Sequence, residues 1–304
     1  MKRKIIQQRG SFTITLPKDW VKRFRLKGGD EIDLSVVDFN LLIKAPGIKE
    51  FRETEIEITE KTKPALFKTL LAHIYRKGYD KIRINIYSDA LIPEIEGIVD
   101  KFFLGFAVVE KRKKYCVIEN IAEPTEEKYD VLIRRSFLLI KEMAAVIYED
   151  LQSGNYPNLF KIEGYSNNLD KFVFFCRRVI SKGMFTRGDS QLYWQMLTFL
   201  MHIGRSYLAL YVYLSKQRKF SVSRQTLDLF NKKIQFFQLF YDAYHQKSVE
   251  LITEMVSRKD DLLYGKGYKV LENTNGPEAV VAYHIREIIR LTFTCSSPVL
   301  AMIV

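Results

Sequence analysis

The sequence predicts a multidomain α+β protein with a small strand-rich head, a mixed α+β region and a long helical part. Its 304 residues leave room for two or three domains. The hydrophobic pattern changes from a period of two to helical spacing after Pro124. The net charge of +12 is uneven, since residues 1–29 hold nine basic residues against one acidic residue. We therefore predict domains at residues 1–45, 50–123 and 124–304.

The head is predicted to form two strand pairs around one short helix. Strands are expected at residues 4–8, 12–16, 31–36 and 40–44, with turns at 9–11 and 38–39 and a helix at 18–24. Phe12, Ile14 and Leu16 alternate with hydroxyl residues, which predicts one buried face. About 45 residues rarely bury enough apolar surface alone. We therefore expect the head to share its core with a second copy.

The remaining chain divides into a small α+β domain and a helical domain. Strands are expected at residues 53–59, 81–87, 107–109 and 115–118, and helices at 63–77 and 93–106. Six amphipathic helices follow residue 124, which suggests two three-helix units side by side. Adjacent acids on these helices, such as Glu149 and Asp150, are expected on solvated faces.

Residue chemistry predicts neither an enzyme nor a bound cofactor. The sequence lacks a phosphate-binding glycine loop, a dinucleotide fingerprint, a paired-histidine motif and a Cys-x-x-Cys motif. Three distant cysteines indicate a reduced, cytoplasmic protein. The most apolar stretches, residues 192–214 and 288–304, carry Arg205 and Arg290. We expect buried helices there and no membrane insertion.

The basic N-terminus is the best candidate for a functional surface. Lysine and arginine neutralise phosphates, while glutamine, serine and threonine on a strand reach base edges in a groove. The candidate DNA-binding residues are Lys2, Arg3, Lys4, Gln8, Arg9, Ser11 and Thr13. A solvated basic surface on a protein-binding domain is the alternative.

One run of the head resembles a known DNA-binding family. Residues 10–32, with Leu-Pro-Lys at 16–18 and Leu-Lys-Gly-Gly-Asp at 26–30, resemble the AbrB/SpoVT (MazE-like) swapped-hairpin domain. The resemblance implies an interleaved, dimeric β-barrel that binds double-stranded DNA. Lys4, Arg9, Ser11 and Thr13 match the family's DNA-facing hairpin, and Lys2 and Arg3 extend it.

The rest of the chain resembles archaeal PhoU-related regulators that carry such a head. The similar segments are residues 75–83, 103–110, 134–143 and 168–178. The resemblance implies a linking domain followed by a PhoU-like pair of three-helix bundles. PhoU proteins hold metals with helix carboxylates, which residues 199–209 and 290–298 lack. We therefore expect no metal cluster.

Together these features predict a cytoplasmic transcriptional regulator of phosphate uptake that forms a homodimer through its head. The helical part would sense a signal or dock on a phosphate transporter or another signalling protein, as the resemblance implies. One alternative is an accessory protein of a phosphate transporter that does not bind DNA. Another is an antitoxin-like regulator, although antitoxin tails are usually short and disordered until bound.

Overall fold

A computed structural model describes residues 2–37, 40–44, 51–122, 126–185, 189–217 and 219–304. The chain divides into two compact units, Met1–Phe51 and Arg52–Val304. The turn expected at residues 38–39 lies outside the described residues. The chain is multidomain, with small strands in its first unit and a largely helical body, as predicted.

The described residues of the first unit form two antiparallel hairpins and one helix. In order they are β1 (Ile6–Gln8), β2 (Ser11–Thr13), α1 (Lys18–Arg23), β3 (Asp33–Val37) and β4 (Asn40–Lys44). β1 pairs with β2, and β3 pairs with β4, as two separate sheets. The described residues of a single chain form no closed barrel.

The face of the head that is predicted to be buried is exposed in the single chain. Phe12 is 70% exposed and Ile14 is 43% exposed. No side chain that the structure describes in this unit is buried. β2 includes Phe12 but ends before Ile14 and Leu16, and within the described single chain no second layer covers Phe12 or Ile14.

The second unit begins with a four-stranded sheet and two helices. The elements are β5 (Glu53–Ile58), α2 (Pro64–Arg76), β6 (Lys81–Ile86), α3 (Ile92–Phe102), β7 (Phe106–Arg112) and β8 (Tyr115–Asn120). The strand order is β5-β6-β8-β7, with β5 parallel to β6 and the other pairs antiparallel. On β6, Ile82, Ile84 and Ile86 are buried, as period-two alternation requires.

In this region the predicted and observed bounds differ most at the end of α3. α3 ends at Phe102, four residues before the predicted end at 106. Gly105 then adopts a φ of +81°, and a Cβ there would lie 2.4 Å from the carbonyl oxygen of Ala122. This close approach lets the chain turn directly into β7, which the continuous apolar run at 102–109 does not reveal.

Seven helices complete the described part of the second unit. They are α4 (Glu126–Ser153), α5 (Leu159–Ser181), α6 (Ser190–Leu214), α7 (Arg224–Gln246), α8 (Val249–Asp260), α9 (Lys266–Glu272) and α10 (Gly276–Ile303). A π-helical turn, Asp261–Gly265, joins α8 to α9. The six predicted helices are present, and α9 is additional.

The helices pack as two neighbouring groups that share one long contact. α4, α5 and α6 contact one another, as do α7, α8 and α10. α6 lies along α10, and α4 contacts α7. None of the helices in the described segments is long and apolar enough to cross a membrane.

A buried ion cluster links the sheet layer to the helices. α2 and α3 both pack on α5. The Oδ1 atom of Asp80, just before β6, lies 2.5 Å from Nη2 of Arg178 and 2.5 Å from Nζ of Lys182, both at the C-terminal end of α5. Arg178 also donates to the carbonyl oxygens of Tyr75 and Tyr79, at 3.2 Å and 2.6 Å. These contacts fix the sheet layer against α5.

Candidate nucleic-acid interface

The first hairpin presents its turn through an unusual backbone geometry. Arg9 and Gly10, between β1 and β2, have φ values of 45° and 88°. Two successive left-handed residues match the right-handed twist of a tight two-residue hairpin, and glycine accepts this conformation without strain. The hairpin therefore places Arg9 at its tip.

The register of the hairpin determines which residues share a face. Ile6 pairs with Thr13, Gln7 with Phe12, and Gln8 with Ser11. Because directly opposed residues share a face, Ser11 and Thr13 lie on one side and Phe12 on the other. The Thr13 hydroxyl also donates to the carbonyl oxygen of Ile6 at 3.2 Å. Ser11 and Thr13 therefore share one face with Ile6, and Phe12 shares the other face with Gln7.

Six of the seven predicted DNA-binding side chains are described, and all six are exposed. These six are Lys2, Arg3, Lys4, Arg9, Ser11 and Thr13. Lys2, Arg3 and Lys4 precede β1 without regular secondary structure. The backbone of Gln8 ends β1, and its side chain lies outside the described set. The structure therefore places the predicted residues on the first hairpin and on the segment that precedes it.

Helix α1 adds cations that the sequence analysis did not include among the candidates. Lys18 and Lys22 are exposed, and Arg25 and Lys27 follow the helix and are also exposed. The single acid of this segment, Asp19, lies in the first turn of α1, where a carboxylate favours the positive end of the helix dipole. The signal that could have found these residues is the density of lysine and arginine at 18–27.

The nearest acid that follows these cations is engaged in a turn. Oδ2 of Asp30 accepts a hydrogen bond from the backbone amide of Lys27 at 2.7 Å, and the Asp30 amide donates to the Lys27 carbonyl at 3.2 Å. Gly29, inside this turn, has a φ of +96°. This carboxylate therefore closes a turn after the helix.

Large apolar side chains are exposed across both hairpins. The most exposed are Val36 at 78%, Phe12 at 70%, Ile5 at 68%, Leu34 at 58% and Leu41 at 54%. The register pairs Leu34 with Ile43 and Val36 with Leu41, so these four share one face of the second hairpin. A soluble chain rarely exposes a contiguous apolar patch of this kind unless another surface covers it.

The thiols and metal-ligating groups of the described residues point to no second chemistry. All three cysteines are buried and free. Burial raises the pKa of Cys116 to about 11 and raises those of Cys176 and Cys295 as well. Protonated thiols are poor nucleophiles and ligands at neutral pH. The described segments contain no group of three or more His, Cys, Asp or Glu residues that could hold a metal ion.

Comparison with known proteins assigns a class to the first unit alone. Residues 5–47 match a family described as "Antidote-toxin recognition MazE, bacterial antitoxin". No curated protein and no solved structure matches the chain. The first unit therefore carries a MazE/AbrB-like domain. The match ends at residue 47, so it assigns no family to the sheet layer or the helices.

Proposed function

We propose that this protein is a dimeric, DNA-binding transcriptional regulator whose first unit grips DNA. The observation that carries the proposal is the first hairpin, which exposes Arg9 at its tip and the hydroxyls of Ser11 and Thr13 on one face, with three exposed cations just before it. The hairpin lies within a MazE/AbrB-like match, which supports a role in DNA-binding or antitoxin-like regulation.

The exposed apolar faces of the head support the proposal of a dimer. Phe12 and Val36 each leave most of their side chain in water in the single chain. Burial of apolar surface contributes roughly 25 cal/mol per Å². A second copy of the same head would cover these faces and would present two copies of the basic hairpin to one DNA duplex.

In this proposal the cations bind the backbone of DNA and the neutral polar residues contact bases. Lys2, Arg3, Lys4 and Arg9 would neutralise phosphates and release counterions. Gln8, Ser11 and Thr13 would provide hydrogen-bonding groups for base edges.

The experiment that tests the proposal measures DNA affinity against salt. DNA that co-purifies with the full chain is sequenced, and its preferred fragment is used for fluorescence anisotropy. In a dimer, Lys4→Ala or Arg9→Ala removes two phosphate contacts, so the slope of log affinity against log salt should fall by about 1.8. The matched control is Lys161→Ala, an exposed lysine on α5. Unchanged affinity and slope in both head variants would show that the hairpin does not bind DNA.

Control of phosphate uptake is the finer form of this proposal, and it rests on the resemblance to PhoU-related regulators. In that form the protein acts in the cytoplasm, and its helical domain docks on a phosphate transporter or signalling protein. The sequenced DNA tests it as well: promoters of phosphate transport genes should be enriched. Enrichment of unrelated promoters would reject phosphate control and leave DNA binding intact.

An antitoxin-like regulator is the second candidate, because the matched family is described as a bacterial antitoxin. A toxin partner would co-purify in stoichiometric amount and would lose activity in the complex. The large helical body is unlike a short antitoxin tail, because it has its own buried core from Tyr129 to Val299. This observation favours the regulator.

A further inference from the structure

A surface groove lies where α6 and α10 pack along each other, in the second unit. Its volume is about 470 Å³. Basic and aromatic side chains dominate its lining, which includes His202 and Arg205 from α6 and Tyr283, His284, Glu287 and Arg290 from α10. We call it the α6–α10 groove. Small-molecule sites typically enclose about 300–1,000 Å³, so the groove has the size of an organic ligand.

Carboxylates of the protein hold both groove arginines in place. Arg290 donates to the two carboxylate oxygens of Glu287 at 2.9 Å and 2.7 Å, and its side chain is 54% exposed. Nη2 of Arg205 donates to Oδ2 of Asp170 at 3.0 Å, and its side chain is 45% exposed. A guanidinium has five N–H donors in a rigid fork. Each arginine is therefore oriented and retains donors for a second anion.

Further cations lie behind the α6 wall of the groove. Arg177 is 3% exposed, donates to the Thr198 hydroxyl, and has a buried Nε atom with no hydrogen-bond partner. Burial, followed by the charges of Arg76 and Arg205, lowers the pKa of Arg177 to about 10, while Asp170 acts in the opposite direction. Arg76, Arg177 and Arg205 therefore all lie close enough to the buried Asp170 carboxylate to interact with its charge. The α6 side of the groove is therefore positive.

The α10 side adds an exposed tyrosine ring, which is tilted by 76° from the neighbouring histidine ring. Tyr283 is 55% exposed, and its ring centroid lies 5.2 Å from that of His284. Nδ1 of His284 lies 3.4 Å from the Ser206 hydroxyl across the groove. An exposed ring beside arginines offers stacking to a planar ligand, whereas a simple inorganic anion makes no use of it.

We propose that the α6–α10 groove binds a nucleoside phosphate, with its phosphates on Arg205 and Arg290 and its base on Tyr283. Guanidinium groups match phosphate oxygens through paired hydrogen bonds. Tyrosine supplies the face on which a base stacks. The site lies wholly in the unit Arg52–Val304 and does not depend on DNA binding by the head.

Isothermal titration calorimetry of the full chain, without DNA, tests the site. The probes are ATP and GTP, with adenosine and inorganic pyrophosphate as the two halves of the ligand. We expect at least one nucleotide to bind more tightly than pyrophosphate, and adenosine to bind weakest. Arg290→Gln and Tyr283→Ala should each weaken nucleotide binding about tenfold, since each removes one exposed contact.

Matched variants separate the groove from the general basic surface. Arg258→Gln removes an exposed arginine that pairs with Glu254 on α8, and Tyr87→Ala removes a ring that is 52% exposed in the sheet layer. Both should bind nucleotide as the natural chain does. Absence of nucleotide binding at millimolar concentration, equal affinity for pyrophosphate, or full binding by Arg290→Gln would each overturn the proposal.

Discussion

Lys233 on α7 is a charged residue type inside the helical core. It is 1% exposed, its Nζ atom donates to the Tyr207 hydroxyl at 2.6 Å, and Nζ lies 3.4 Å from the centroid of the Phe230 ring. Burial lowers the pKa of Lys233 well below its usual value of 10.5. The buried site therefore favours the neutral form of the Lys233 amine.

This burial makes stability depend on pH in a defined direction. In the unfolded chain Lys233 keeps its proton up to about pH 10.5, whereas the folded chain releases it at a lower pH. Between these two pKa values the unfolded state binds more protons than the folded state. The free energy of unfolding therefore rises with pH in that range because of Lys233. We expect the slope of the free energy of unfolding against pH to be smaller in Lys233→Met, by up to about 1.4 kcal/mol per pH unit.

Urea unfolding between pH 7 and pH 9 measures the effect. Lys161→Met, at an exposed position on α5, should keep the pH dependence of the natural chain. The double variant Lys233→Met/Tyr207→Phe removes both partners and avoids an unpaired buried hydroxyl. Identical pH dependence in the natural chain and the double variant would contradict a neutral Lys233.

Neighbouring acids on α4 have different surroundings, contrary to the expectation of a solvated pair. Glu149 is exposed, but Asp150 is 8% exposed and accepts hydrogen bonds from Nδ2 of Asn158 and the hydroxyl of Tyr211. Consecutive residues on a helix point about 100° apart, so one faces solvent and the next faces a neighbouring helix. Helical spacing alone did not reveal the partner on α6.

At the scale of elements, the Asp80 cluster decides how the sheet layer is held on α5. Burial alone would raise the pKa of Asp80, but hydrogen bonds from Lys182 and the Arg52 amide, with the charges of Lys182 and Arg178, lower it overall. Breaking a buried ion pair by removing one partner typically costs about 3–5 kcal/mol. We expect Asp80→Asn to lower the free energy of unfolding by that amount at pH 7.

The same cluster predicts a response to acid. Because the folded pKa of Asp80 is lowered, its contribution is complete above its usual value of 3.8 and is lost as the pH falls below it. Between pH 6 and pH 3, the free energy of unfolding measured in urea should therefore fall less in Asp80→Asn than in the natural chain. Asp89→Asn, at an exposed position, is the control. If Asp80→Asn and Asp89→Asn have the same free energy of unfolding at pH 7, the cluster has no structural role.

The exposed face of β3 predicts self-association of the head. Val36 is 78% exposed in the single chain, where a polar substitution usually changes stability by less than about 0.5 kcal/mol. At the core of a dimer, Val36→Glu would bury an unpaired charge. We expect the variant to be monomeric by analytical ultracentrifugation and to lose DNA affinity.

The control is Val131→Glu on α4, which is 56% exposed in the second unit. It should remain dimeric. A natural chain that is monomeric at micromolar concentration would reject the dimer directly.

The two units of the molecule differ in the size of their own buried cores. The buried apolar residues that the structure describes run from Ile58 to Val299, and the first unit contributes none. We therefore expect a chain of residues 52–304 to fold alone and to melt within about 2 °C of the full chain by calorimetry. It should not bind DNA. A fragment that lacks a cooperative transition would show that the second unit depends on the head.

Local sequence patterns predict most of the strands and helices, although not α9 or the end of α3. Period-two alternation and the turn at Arg9-Gly10 specify the first hairpin, and helical spacing locates the six long helices. These are local signals, because they depend on residues a few positions apart.

Tertiary structure alone decided which distant polar groups meet. Asp80 and Arg178 are separated by 98 positions, and Ser206 and His284 by 78. Neither pair has a local signature, since each forms only when separate elements pack together. The sequence therefore indicated the basic head, while the ion cluster and the α6–α10 groove required the packing of the second unit.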